Sequence, residues 1–168
     1  MKTLYMIGGT MGVGKTTVCQ QLKQDLPNSV FLDGDWCWDA SPFQVTDETK
    51  AMVTNNICYL LNNFLKCSAY ENIIFCWVMH EQRIIDSILK KLDTQNCEVK
   101  CVSLIADENT LRERLSADVE KCIHKKCANV IDIIIKSAQF RGGFGNLSAY
   151  FILFNENLGF IVDNSNEE

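Results

Sequence analysis

The chain lacks any excess of positive charge: its 168 residues carry 16 lysines and arginines against 21 aspartates and glutamates, a net charge of −5. Without a basic field to gather polyanions, binding to duplex nucleic acid or to an anionic membrane surface is not expected. Long apolar runs are missing too. The longest later run, Ile-Ile-Phe-Cys-Trp-Val-Met at 73–79, has seven residues, whereas a membrane-crossing helix needs about 20. The short apolar run at the start meets glycines too soon for a secretory leader. Internal repeats and low-complexity segments are absent. The nine cysteines are an odd number that closes no disulfide framework, and most fall within apolar helix or strand patterns, where a thiol behaves as a small hydrophobe. A reducing, cytoplasmic setting is the expectation. A zinc set of Cys97, Cys101, Cys122 and Cys127, with His124, is disfavoured because its gaps lack the tight spacing of structural zinc sites.

Against these absences stands one dense motif, Gly9-Thr10-Met11-Gly12-Val13-Gly14-Lys15-Thr16. An apolar run, Leu4-Tyr5-Met6-Ile7, precedes it and a helical pattern follows. Glycines let the backbone wrap closely around polyphosphate, so that N–H groups at the start of a helix point at anionic oxygens. Lys15 then supplies a point charge to the β and γ phosphates, the Thr16 hydroxyl is a ligand for Mg²⁺, and Thr17 extends the nucleotide-binding set.

The rest of the chain alternates strand and helix. Val18, Leu22 and Leu26 repeat at helical spacing up to Pro27-Asn28, and Val30-Phe31-Leu32-Asp33 reads as a short buried strand. That makes a strand, loop, helix, strand unit with a parallel sheet. A helix is expected from about Thr46, a good N-cap with Asp47 and Glu48 in the first turn, burying positions 53, 57, 60, 61, 64 and 65. The run at 73–79 reads as a central strand covered on both faces. A helix striped by Ile84, Ile85, Ile88, Leu89 and Leu92 follows, then a strand over 99–105, helices over 107–121 and 129–138, and a fifth strand over 159–163. The stretch 139–157 is left unplaced, because Arg141-Gly142-Gly143 breaks any helix and 149–154 fits either period. One domain over 1–168 is expected.

Asp33 and Asp35 lie two apart at the end of the second strand, where an extended backbone points both carboxylates the same way, toward the crevice beyond the strand ends. One carboxylate near the metal and one accepting a proton from an attacking hydroxyl would suit phosphoryl transfer. An Asp-Gly-Asp turn with a solvated cap is the plainer reading of the same residues. Trp36, Trp38 and Trp77 fall near strand ends on that side. Trp36 is the best placed of them to stack on a flat substrate.

With the cradle at 9–16 and Asp33-Gly34-Asp35 in view, the sequence resembles the P-loop small-molecule and nucleotide kinases: shikimate kinase, gluconate kinase, chloramphenicol phosphotransferase and adenylate kinase. The resemblance implies a three-layer α/β/α P-loop NTPase fold with a parallel sheet of about five strands. It implies ATP and Mg²⁺ as cofactors, Thr16 and Asp33 as metal ligands, and Asp35 as the group serving the acceptor hydroxyl. Leu111-x-x-Arg114-Leu115 looks like the helix beside the family's lid, roughly 112–128 here, whose arginine lies against adenine. Asp163-Asn164-Ser165 is similar to the loop that lines the adenine pocket, which puts Asn164 in the nucleotide site. Arg83 matches an acceptor-phosphate arginine. Two departures stand out: position 118 is Asp where the family often has a second arginine, and the chain stops at Glu168 where the family usually adds a helix.

A small-molecule acceptor is expected, with Asp33, Asp35, Trp36 and Arg83 as its candidate contacts. A monophosphate acceptor calls for arginine forks, and no arginine occurs from 34 to 70. A neutral hydroxyl on a nucleoside, sugar or antibiotic-like molecule is therefore preferred, with a nucleoside monophosphate kinase or an ATP-binding switch without efficient transfer as alternatives. No Asn-Lys-x-Asp base-reading element of a GTPase and no transporter ATPase signature is present. Oligomeric state is not readable from the sequence.

Overall fold

The computed structural model describes residues 1–121, 150–155 and 159–163. Ten elements follow in chain order: β1 (Lys2–Gly9), α1 (Lys15–Asp25), β2 (Ser29–Asp33), α2 (Asp47–Lys66), β3 (Asn72–Cys76), α3 (Gln82–Leu89), β4 (Cys97–Ile105), α4 (Glu108–Lys121), β5 (Tyr150–Asn155) and β6 (Gly159–Asp163). The strands form one sheet in the order β2-β3-β1-β4-β5-β6. The first five of these strands run parallel, and β6 pairs antiparallel with β5 at the edge.

The strand period of two sorts the apolar residues onto two faces. Leu4 and Met6 of β1, Leu32 of β2, and Ile73 and Phe75 of β3 pack with Val53, Ile57 and Leu61 of α2 and with Ile85 and Ile88 of α3. Ile7, Phe31, Ile74 and Cys76 point the other way, onto Val18 and Cys19 of α1 and Leu111 of α4. The result is the three-layer α/β/α arrangement expected for a parallel sheet, whose strands are covered on both sides. Phe75, Ile73, Ile74 and Leu4 are fully buried; each such side chain contributes roughly 1.5–3 kcal/mol relative to exposure.

The helix starts follow their sequence signals. Thr46 caps α2 in a reciprocal box: its hydroxyl accepts from the Thr49 N–H at 3.1 Å, and the Thr49 hydroxyl accepts from the Thr46 N–H at 2.9 Å. Asp47 and Glu48 sit in the first turn, where the helix dipole favours negative charge. Asp107 starts α4 in the same way, its carboxylate accepting from the Thr110 N–H and hydroxyl.

Two details differ from the sequence expectations, and one settles a strand order that the sequence leaves open. The third strand ends at Cys76 rather than at Met79. The Trp77 N–H still reaches the Ile7 carbonyl at 3.3 Å, but the chain then turns, and Met79 stays buried in the α2/α3 core. The apolar run therefore continues past the point where the strand ladder stops. Second, β1 and β2 are not neighbours, because β3 lies between them. Third, the fifth parallel strand is Tyr150–Asn155, within the stretch that periodicity left unplaced, while Gly159–Asp163 is the antiparallel edge. The expected helix over 129–138, the stretch 139–149, the lid beyond 121, Asn164, Cys122, His124 and Cys127 lie outside the described residues.

Candidate active site

Strand parity builds the floor of the site. Ile7, Cys76 and Asp33 are register partners across β1, β3 and β2. All three stand on the α1 face, because Asp33 has the parity of Phe31 and Cys76 that of Ile74. Asp33 is thus a buried carboxylate, 5% exposed, directed at the start of α1. There the Thr16 hydroxyl donates to its Oδ2 at 2.7 Å. One row of the sheet, ending in an acid on β2, and one hydroxyl at a helix N-terminus are brought together although 17 residues apart in the chain.

The loop from Gly9 to Gly14 closes over this row. Gly12 (φ 78°) and Gly14 (φ 98°) adopt the left-handed backbone that side chains other than glycine rarely enter. Gly14 caps α1 with no side-chain hydrogen bond, and the first turn holds Lys15, Thr16 and Thr17 with no acid. A helix N-terminus of this kind presents N–H groups and positive potential to an anion. Lys15 Nζ donates to the Thr10 carbonyl at 2.9 Å, which folds the ammonium back across the loop. Thr10 and Val13 are buried, while Met11 stands exposed at the tip. The sequence-derived cradle of Gly9, Thr10, Met11, Gly12, Val13, Gly14, Lys15, Thr16 and Thr17 is therefore one continuous loop and helix start.

Asp35 reaches the site by a different route from the expected one. Extended alternation does not continue past Asp33; Gly34 to Cys37 form a 3-10 turn, and Asp33 caps it by accepting the Asp35 N–H on Oδ1 at 3.1 Å. Asp35 is left near enough to Asp33 and Lys15 to feel both charges. Its carboxyl is pushed up from the ordinary carboxylate value, first by loss of water around it and then by the Asp33 charge; Lys15 and a hydrogen bond from Trp77 work in the opposite direction. A carboxylate with a raised pKa facing a lysine at a phosphate cradle is a better proton acceptor than a free one.

Trp77 is the residue that sequence reasoning underrated. Its ring packs on Gly34 so closely that a Cβ there would lie 2.6 Å from Cγ and 2.7 Å from Cδ1, so only glycine fits. The same ring hydrogen-bonds Asp35. Trp77 is thus a wall that sets the 3-10 turn and the Asp35 carboxylate together, and the signal was available in a tryptophan directly following a central strand. Cys76 was missed as well. Its buried thiol lies by Cys19 and Asp33 and is held protonated, chiefly by its interaction with Cys19 and by burial.

The remaining candidates are dispersed. Trp36 shares the 3-10 turn with Asp35, is 58% exposed and meets Phe31 edge-on at a ring distance of 5.2 Å. Trp38 instead packs on Phe43 as a loop anchor, with ring centroids 4.7 Å apart. Arg114 donates from Nη1 to the Val13 carbonyl at 3.2 Å, so α4 braces the outer wall of the cradle. Arg83 lies at the start of α3, is 81% exposed and pairs with Glu81.

The hydroxyl of Thr16 and the carboxylate of Asp33 make a hard, all-oxygen pair beside a phosphate cradle. That donor set fits Mg²⁺, which takes one or two protein oxygens along with phosphate oxygens and waters. Among the described residues no cluster of three or more His, Cys, Asp or Glu could hold a metal, and Cys97 and Cys101 form none.

Comparison with known proteins agrees with this fold. The model of a family described as an AAA domain matches residues 6–135, and the chain belongs to that family. No curated protein matches the chain in sequence. Solved structures share the fold. A gluconokinase from Sinorhizobium meliloti superposes with a TM-score of 0.62 at 14% identity, covering 90% of this chain and 82% of its own. A sugar kinase from Janibacter sp. gives 0.65 at 14% identity, with 91% and 85% covered. A fungal RNA kinase gives 0.59 at 16% identity, with 92% and 75% covered. At these identities the likeness is one of fold. Among the described residues no helix is long and apolar enough to cross a membrane.

Proposed function

We propose that the protein is a phosphotransferase that moves the γ-phosphoryl of ATP to a hydroxyl of a small molecule in the cytoplasm. The observation that carries this reading is the meeting of Lys15, Thr16, Asp33 and Asp35 at the start of α1. Backbone N–H groups of the loop and the Lys15 ammonium bind and orient the β and γ phosphates, and Arg114 holds the loop from outside. Thr16 and Asp33 would hold Mg²⁺, which when bound neutralises phosphate charge. Asp35 accepts the proton of the acceptor hydroxyl as its oxygen pair forms the new bond to the γ-phosphorus. The bond from that phosphorus to the bridging oxygen breaks with its electron pair on ADP. Positioning and charge neutralisation of this kind carry most of the rate in phosphoryl transfer.

A neutral acceptor is favoured over a nucleoside monophosphate, because the one arginine suited to an acceptor phosphate, Arg83, is paired with Glu81 and turned to solvent. The test is ADP release from Mg·ATP across nucleosides, monophosphates, sugars and other alcohols, with Lys15→Ala as the blank. Stimulation by one acceptor class in the wild type and none in the variant is expected. Equal turnover in Lys15→Ala would sink the reading, and ATP binding without any acceptor-dependent turnover would mark a nucleotide-binding switch instead.

A further inference from the structure

Next to the turn that carries Asp35 lies a cavity of about 450 Å³ lined by Leu32, Trp36, Cys37, Asn56, Tyr59 and Leu60. Its volume is in the range of small-molecule sites. None of the six lining residues is charged, and the two aromatics stand well out of the core: Trp36 is 58% exposed and Tyr59 69%. The apolar character continues along α2, where Met52 shares the helix face of Asn56 and Tyr59 at i, i+4 and i+7 and is 44% exposed. Asn56 contributes an amide whose Nδ2 donates to the Cys37 carbonyl at 3.4 Å, tying helix to turn.

From this we infer that the cavity holds the acceptor, and that the acceptor is an uncharged alcohol carrying a flat ring. The inference rests on the transfer reading above. Three observations select that class. An anion, whether a sugar acid, a monophosphate or a polynucleotide, would meet no cation among the lining residues, and it would approach the negative charge of Asp33 and Asp35. A bare polyol asks for many hydrogen-bond partners, whereas the wall offers the amide of Asn56 and the tip hydroxyl of Tyr59 amid apolar surface. Exposed indole and phenol rings gain most by covering a planar apolar surface, which buries large area with little loss of side-chain freedom. Trp36 directly follows Asp35 on one 3-10 turn, so the cavity lies beside the turn that carries the proposed base.

The test compares uridine, adenosine and a phenyl-substituted diol with gluconate, glucose and uridine 5′-monophosphate as acceptors under Mg·ATP. Ring-bearing neutral alcohols should be phosphorylated in preference to all three others. Trp36→Ala and Tyr59→Ala should each raise the acceptor KM about tenfold, the size of effect that loss of a stacking ring produces, with kcat changed far less. Trp36→Phe should recover most of the loss. Trp36 is exposed, so these variants are expected to fold, and circular dichroism checks it. Phosphorylation of gluconate or the monophosphate with the ring alcohols silent overturns this inference and leaves the transfer reading standing. An acceptor KM unmoved by both alanine variants also overturns it. Absence of Lys15-dependent phosphorylation of every acceptor removes both.

Discussion

Replacing Gly34 by alanine isolates the contact on which the site's geometry depends. The added Cβ would sit 2.6, 2.7 and 2.9 Å from Cγ, Cδ1 and Cβ of Trp77, whereas carbon atoms rest at about 3.5–4.0 Å. The neighbour must therefore retreat by roughly 1 Å. Trp77 has little room to do so, since its backbone N–H is bonded to the Ile7 carbonyl at the end of β1. Its ring has to swing, and the hydrogen bond to Asp35 goes with it. Overpacking of this kind costs about 1–3 kcal/mol. At about 2–4 °C per kcal/mol for a chain of this size, Tm should fall by roughly 2–12 °C. Displacing the base by about 1 Å should lower kcat on the order of 100-fold. Calorimetry and acceptor-dependent ADP release read the two effects separately. A double-mutant cycle supplies the control: on a Trp77→Leu background the stability penalty of Gly34→Ala should shrink, because the clashing ring is gone. Wild-type Tm and turnover for Gly34→Ala, or an undiminished penalty on the Trp77→Leu background, would refute the reasoning.

Other perturbations separate stability from chemistry. Asp35 has a folded-state pKa above its unfolded value, so the stability it contributes is present below the ordinary carboxylate range and is lost as pH rises through the raised value. Asp35→Asn should therefore raise Tm at neutral pH while strongly slowing transfer, and the gain should fade at about pH 3, below the unfolded pKa; a loss of Tm at pH 7 would contradict the assignment. Arg114→Ala removes the brace on the Val13 carbonyl and should weaken ATP binding by about five- to tenfold, the worth of one ordinary hydrogen bond lost from the wall of the loop, as titration calorimetry would measure; unchanged affinity would detach α4 from the nucleotide site. Lys2 Nζ donates to the Cys67 and Tyr70 carbonyls at the far end of the sheet, so Lys2→Met should cost about 1–3 kcal/mol of stability with ATP affinity unaffected, and a null effect in urea denaturation would discount that staple.

Much of the site was legible because its chemistry is local in the chain. The cradle, Lys15 and Thr16 are contiguous, and glycine is required where the backbone turns left-handed. The capping box of α2 was half legible: Thr46 announced itself as an N-cap, while the reciprocal bond from Thr49 needed the structure. Asp33 at the end of the second strand was legible, yet its hydrogen bond from Thr16 depends on register across three strands, which no single segment encodes. The Asp35 position was read for the wrong local reason, since a 3-10 turn replaces the extended backbone. Asp33-Gly34-Asp35 favours turns, and the side-chain cap of Asp33 competes with strand continuation. Trp77 was underrated and Cys76 missed because an unbroken apolar run says only that a segment is buried. It does not say which member faces the polar site or where the ladder ends. The last parallel strand, Tyr150–Asn155, was ambiguous for a related reason: short apolar runs fit both periods, and pairing with β4 decides between them.

The most direct measurement is mass spectrometry of acceptors incubated with Mg·ATP and the wild-type protein or Asp35→Asn. Phosphotransfer by Lys15, Thr16, Asp33 and Asp35 predicts an acceptor that gains one phosphoryl group with wild type and gains it at a far lower rate with Asp35→Asn, although both bind ATP. Transfer at the wild-type rate by Asp35→Asn would contradict the role given to that carboxylate, and bound ATP with no phosphorylated acceptor from either protein would contradict phosphotransfer itself.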